Sequence, residues 1–145
     1  MTTQSKKNYI IFEDWYRDVV GGQDVILRGI SAIEYMGMFS YLYRDQIDVY
    51  SKTQGRYTNV DYLVVDSFDN IDYFQENGVM CTTFNQTVND MLDAFDSTDM
   101  EPLARALRGH YHFNGRSFEN LTIKPGHQKK FEYMISWAME YFDEE

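Results

Sequence analysis

The chain has 145 residues, with 13 Lys and Arg against 23 Asp and Glu, and a formal net charge of −10. That balance disfavours direct binding to DNA or RNA phosphates and to anionic membrane surfaces, because affinity there comes mainly from cations that neutralise phosphates. Aromatics make up 17% of the chain, which excludes the aromatic-poor composition of disordered chains and suits one domain with one core.

In chain order, residues 1–8 are polar and read as a flexible N-terminus ahead of a single domain over residues 9–145. From Tyr9 to Val20, Ile11, Trp15 and Val19 fall at helical spacing with Phe12 and Tyr16 beside them, and Gly21-Gly22 ends the run. Val25 to Leu27 is a short apolar run. Ser31 is placed to cap a helix through Met38, with Glu34 completing a capping box. Ile47 to Tyr50 and Tyr62 to Val65 read as strands, with Gln54-Gly55 between them suggesting a hairpin-like connection. Ile71 to Phe74 is a third strand, and the Asn77-Gly78 turn leads into Val79 to Thr83.

The period then changes. Val88, Met91, Leu92 and Phe95 form a helical stripe, with Asn85 as its cap. A second helix spans Glu101 to Tyr111, with Pro102 in its first turn. After Pro125-Gly126 the last helix runs from His127 to Phe142, with Phe131, Ile135, Ala138, Met139 and Phe142 on one face. The chain shows no internal repeat, linker or low-complexity tract. The expected fold class is α+β, a single compact domain whose small, mostly antiparallel central sheet is packed by about five helices, the C-terminal ones contiguous.

One cysteine, Cys81, excludes an internal disulfide, fits a reducing compartment and reads as a small buried hydrophobe. No signal core precedes the domain, and no run approaches the roughly 20 apolar residues of a membrane span. The expected location is therefore cytoplasmic. Asn120-Leu121-Thr122 matches the glycosylation acceptor pattern, but without a secretory signal.

The acidic excess lies in one block. From Tyr57 through Ala104 there are Asp61, Asp66, Asp69, Asp72, Glu76, Asp90, Asp93, Asp96, Asp99 and Glu101, and no Lys or Arg. These residues account for the whole net charge of −10, so acids and bases cancel elsewhere. Asp90, Asp93 and Asp96 are three apart and read as an exposed edge of the helix that carries the Val88 stripe. The simpler reading is a solvated face that serves solubility. The functional reading is a docking surface for a basic protein, since crowded carboxylates repel one another and a cationic partner relieves them.

No metal, cofactor or catalytic residue is expected. His110 and His112 diverge on a helix, His127 is remote in sequence, and neither a second cysteine nor an HExxH pattern supports zinc. Asp61, Asp66, Asp69 and Asp72 do not match Ca²⁺ loop spacing. Gly29-Ile30-Ser31-Ala32-Ile33 lacks the second glycine of a hydrolase elbow, and Gly21-Gly22 lacks the spaced glycines and lysine of a phosphate loop. A nucleotidyl-transfer site would join a Gly-Ser turn to two or three carboxylates on the next strands, holding Mg²⁺ on a triphosphate. Here Gly29 and Ser31 are followed by Asp45, Asp48 and Asp61. Asp45 and Asp48 are three apart, so on a strand they face opposite ways and leave the ladder incomplete.

The segment Val25 to Met38, VILRGISAIEYMGM, resembles a pattern of the AbiEi-type antitoxin family, in which a short apolar strand leads into a G-x-S-A-hydrophobic-x-x-x-G helix. Gly78 to Leu92 is similar to that family's strand followed by T-x-x-x-T-hydrophobic-x-D-hydrophobic-hydrophobic, and Leu103 to Leu107 fits its following helix. The resemblance runs from Val25 to Leu107. It implies a nucleotidyltransferase-like α+β domain, usually without activity, that neutralises a protein partner. Two departures accompany it. Gln86 stands where the family generally has an arginine, and there is no room for the family's promoter-binding winged helix. The expected function is therefore a non-enzymatic binding module for a basic, nucleic-acid-handling protein, such as a toxin, without direct nucleic-acid binding. A related expectation is a phage-encoded inhibitor of a CRISPR-type or other defence nuclease, its carboxylates standing in for phosphates. The rival from another class is a nucleotidyltransferase-type enzyme.

Overall fold

The computed structural model describes residues 5–6, 9–41 and 44–141. Among the described residues, five α-helices and a five-stranded mixed sheet form one small α+β domain. In chain order the elements are α1 (Phe12–Val20), β1 (Val25–Leu27), α2 (Gly29–Tyr35), β2 (Ile47–Ser51) and β3 (Val60–Val64). Then follow β4 (Tyr73–Glu76), β5 (Val79–Thr82), α3 (Phe84–Asp93), α4 (Glu101–Phe113), a 3₁₀ turn (Pro125–His127) and α5 (Gln128–Tyr141).

The sheet order is β3-β2-β1-β5-β4. It is evenly mixed rather than mostly antiparallel: β1–β2 and β4–β5 are antiparallel, while β1–β5 and β2–β3 are parallel. The difference originates at Gln54-Gly55. Residues 52–59 do not close a hairpin but carry the chain back to the start of β2, so that Val60 pairs with Ile47. Gly55 serves close approach there, because a Cβ at this position would run into the Tyr62 ring. Asn77-Gly78 is the hairpin turn the sequence announces, with φ of 53° and 80° at its two central residues.

Three helix starts differ from expectation, the first being α1, which begins at Phe12 rather than Tyr9 and leaves Ile11 exposed ahead of it. α2 begins at Gly29 rather than after Ser31, and Gly29 takes φ 57° to turn the chain directly out of β1. Ser31 therefore lies inside the helix, where its hydroxyl accepts the Asp48 backbone N–H at 2.8 Å and ties α2 to β2. Thr83, not Asn85, caps α3 by accepting the Gln86 N–H at 3.2 Å. Asn85 instead holds the later loop, accepting the Thr122 N–H at 2.7 Å.

The core has two parts joined by α2. Trp15, Tyr16 and Val19 of α1 pack on Val25, Leu27, Val49 and Cys81 of the sheet, together with Ala32 and Tyr35 of α2. Ile33, on the other side of α2, packs with Val88 and Leu92 of α3, Leu103 and Leu107 of α4, and Phe131, Met134 and Ala138 of α5. α2 is thus surrounded, which is why its polar residues Ser31 and Glu34 are buried too. Glu34 accepts hydrogen bonds from Tyr16, Ser40 and the Lys6 ammonium. The expected loose segment over residues 1–8 lies outside the described residues except for Ser5 and Lys6, and Lys6 is buried. Phe142, expected on the apolar face of α5, also lies outside them. Among the described residues no helix is long and apolar enough to cross a membrane.

Candidate functional site

The acidic block does not fold into one patch. Asp61 lies on β3 and Glu76 on β4, the two opposite edges of the sheet. Four strand spacings separate these edges, about 19 Å. The connection that links them runs corner to corner, leaving β3 where Val64 pairs with Ser51 and entering β4 where Tyr73 pairs with Thr82. Phe68 anchors it beneath the Lys52 ammonium, 4.8 Å from the ring centroid. Asp66 and Asp69 stand exposed on this connection, and Asp72 is exposed at its end.

A second group gathers on the helical side. Asp93 is the last residue of α3, Asp96 and Asp99 lie between α3 and α4, and Glu101 opens α4. Asp93, Asp96 and Asp99 are exposed, while Glu101 is half-buried. Asp99 accepts the Glu101 N–H at 3.0 Å and the Tyr41 hydroxyl. Glu101 pairs with Arg105 at 3.4 Å.

The expected exposed edge of Asp90, Asp93 and Asp96 is corrected on two counts. α3 ends at Asp93, so Asp96 is not on the helix. Asp90 is half-buried and turns inward, because α3 also buries its polar Thr87 and Asn89 against the sheet and the loop before α5. Gln86 donates to Asp90 Oδ1 at 2.8 Å, and the inward-turned carboxyl also meets the Tyr50 hydroxyl. Arg28 Nε is buried, and the Arg28 guanidinium lies 5.1 Å from the Tyr50 ring.

This cluster has a pH signature. Burial pushes the Asp90 carboxyl up, against the hydrogen-bonding pull of Tyr50 and Gln86 and the charges of Arg28 and Lys124. Burial, then the Asp90 charge, pushes the Tyr50 hydroxyl up to about 12. A raised folded-state pKa means that the folded chain holds the proton more tightly than the unfolded one. The associated stability is full below the unfolded carboxyl value of about 3.9 and is lost as pH rises through the folded value. Asp90→Asn, which keeps the Gln86 contact and removes the charge, is expected to stabilise the chain at pH 7. Urea unfolding should show almost no gain at about pH 3.5, below the unfolded pKa; equal gains at both pH values would contradict this origin.

The residues weighed for metal and catalysis are placed as follows. His110 stacks on Phe84 at 4.9 Å and bonds Asn120 at 2.8 Å, His112 is exposed, and His127 bonds Asn89 at 3.3 Å. Among the described residues no group of three or more His, Cys, Asp or Glu is arranged to hold a metal ion. Cys81 is buried against α2, and desolvation raises its thiol pKa far above the usual range. Asp45 precedes β2 and accepts the Lys6 backbone N–H at 2.6 Å. Asp48 and Asp61 are register partners on neighbouring strands, an adjacency that sequence spacing did not reveal. Asp48 is nevertheless engaged: Arg44 pairs with it and Gln46 donates to it at 2.7 Å.

One feature next to the helical acids shares Glu101 with the acidic block and otherwise lies beyond it. A groove of about 630 Å³ is lined by Glu101, Tyr133, Ser136, Trp137 and Glu140. The four α5 residues follow i, i+3, i+4, i+7 spacing, and the half-buried Trp137 also packs against the cluster that holds Phe131, Met134 and Ala138. Tyr133 meets Phe95 edge to face at 5.7 Å, and Phe95 immediately precedes Asp96. Compared with family models, curated proteins and solved structures, the chain matches none.

Proposed function

We propose that the chain is a non-enzymatic, acidic binding module that neutralises a protein partner with a basic, nucleic-acid-handling surface, in the manner of the antitoxins its central segment resembles. The observation that carries this reading is the exposure of Asp61, Asp66, Asp69, Asp72, Glu76, Asp93, Asp96 and Asp99. None of these lies in a stretch containing Lys or Arg, so their charge is compensated only through space. Such a field steers a cationic partner and weakens with salt. Asp90 leaves the contact set, since its carboxylate turns inward. Glu101 remains beside the contact set, already shared with Arg105.

The test is capture from the native cell followed by mass spectrometry. The expected product is a basic nucleic-acid-handling protein. Reversing Asp66, Asp69, Asp93 and Asp96 to Lys is expected to abolish capture while the unfolding midpoint stays close to that of the parent, because these side chains are exposed. Capture that survives the reversal, or that is indifferent to salt, sinks the proposal. Whether the captured protein is a toxin or a defence nuclease separates the two forms of the reading.

A further inference from the structure

We infer that the groove between α4 and α5 seats an arginine-bearing segment of the partner. This rests on the reading of the chain as a protein-binding module and adds the chemistry of one contact. The walls are aromatic: Tyr133 is 60% exposed and Trp137 is half-buried. Carboxylates flank them, Glu101 from α4 and the exposed Glu140 from α5. No Lys or Arg is among the described residues that line the groove. The nearby cations are otherwise engaged, Arg105 with Glu101 and over the Phe39 ring, Lys130 over the Phe95 ring.

An aromatic face attracts a cation through its quadrupole, and a flanking carboxylate adds charge-assisted hydrogen bonds. Arginine answers both demands at once. Its guanidinium is planar, stacks on rings and bonds carboxylates with two parallel donors, whereas a lysine ammonium is a strongly hydrated point charge. At about 630 Å³ the groove is far larger than one guanidinium and has room for the residues on either side of it. The exposed Asp96 and Asp99 beside it raise the local concentration of cationic chain.

The chain carries its own reporter. Its two tryptophans are Trp15, fully buried on the core face of α1, and Trp137 in the groove, so a ligand-induced change in emission reads Trp137. Acetylated, amidated tri-arginine, tri-lysine and tri-glutamate peptides would be titrated at about 0.02 M salt, with calorimetry in parallel. Tri-arginine is expected to move the emission saturably, tri-lysine to bind several-fold more weakly, and tri-glutamate to do nothing. Tyr133→Ala and Glu140→Gln are each expected to weaken tri-arginine binding roughly tenfold, with circular dichroism and unfolding midpoint as fold controls. Heat without a change in emission, or unweakened variants, overturns the groove and leaves the acidic-surface reading intact. Equal binding of tri-lysine overturns the arginine assignment. Absence of any heat with tri-arginine also overturns the inference, and the charge-reversal experiment then judges the broader reading independently.

Discussion

Glu34→Ala is expected to destabilise the chain by about 3–5 kcal/mol, the cost of breaking a buried ion pair from one side. The Lys6 and Glu34 side chains are 3% and 5% exposed, so neither charge reaches water. Removing the carboxylate leaves the Lys6 ammonium with the Tyr41 carbonyl at 2.8 Å and the Phe12 ring at 4.3 Å, but without a counter-charge. The hydroxyls of Tyr16 and Ser40 lose their acceptor as well. A buried donor without an acceptor adds its own desolvation penalty. Lys6→Met combined with Glu34→Met removes both charges and should recover most of the loss, since the pair replaces a balanced interaction rather than an uncompensated one. Urea unfolding at pH 7 checks this; a single variant no worse than the double would refute the account.

Asp48→Ala is expected to cost about 2–3 kcal/mol, somewhat less because this pair is partly hydrated. The Asp48 and Arg44 side chains are 11% and 21% exposed. The same variant separates the binding module from the nucleotidyltransferase-type enzyme. In the enzyme, Asp48 would hold Mg²⁺ beside Asp61, and its loss would remove nucleotide binding at little cost in stability. Here Arg44 and Gln46 occupy that carboxylate, so the parent should give no heat with Mg-nucleoside triphosphates and the variant should simply be less stable. Nucleotide binding that disappears with Asp48→Ala would favour the enzyme.

The elements were legible where periodicity is strong. The stripe of Val88, Met91 and Leu92 located α3, although Phe95, expected on the same stripe, falls past its end; the Asn77-Gly78 pair located the hairpin, and Gly21-Gly22 located the end of α1. Strand direction was not legible, because a glycine turn signal does not reveal whether the chain returns beside itself or starts again in parallel. Residues 52–59 restart the chain in parallel, with the Tyr62 ring lying over Gly55, a contact between positions seven apart. The acidic block was legible as composition but not as geometry. Spacing alone placed Asp90 with Asp93 and Asp96, whereas the burial of Thr87 and Asn89 shows that the inward face of α3 is partly polar. The groove on α5 was missed because its α5 residues lie beyond the block, which supplies Glu101 alone among the described lining residues. Its signal was available in the second helical stripe of Tyr133, Trp137 and Glu140.

The place of β1 in the sheet has a consequence for synthesis. β1 is the central strand, and one of its two neighbours, β5, is made much later than the other. At 5–20 residues per second, the roughly 50 residues between Leu27 and Cys81 take about 3–10 s to emerge from a ribosome. During that interval the β5-facing edge of Val25, Ile26 and Leu27 has no native partner. The nascent chain therefore presents an apolar strand edge to its surroundings, and the acidic residues emerging behind it from Asp61 onward repel other copies of the same chain.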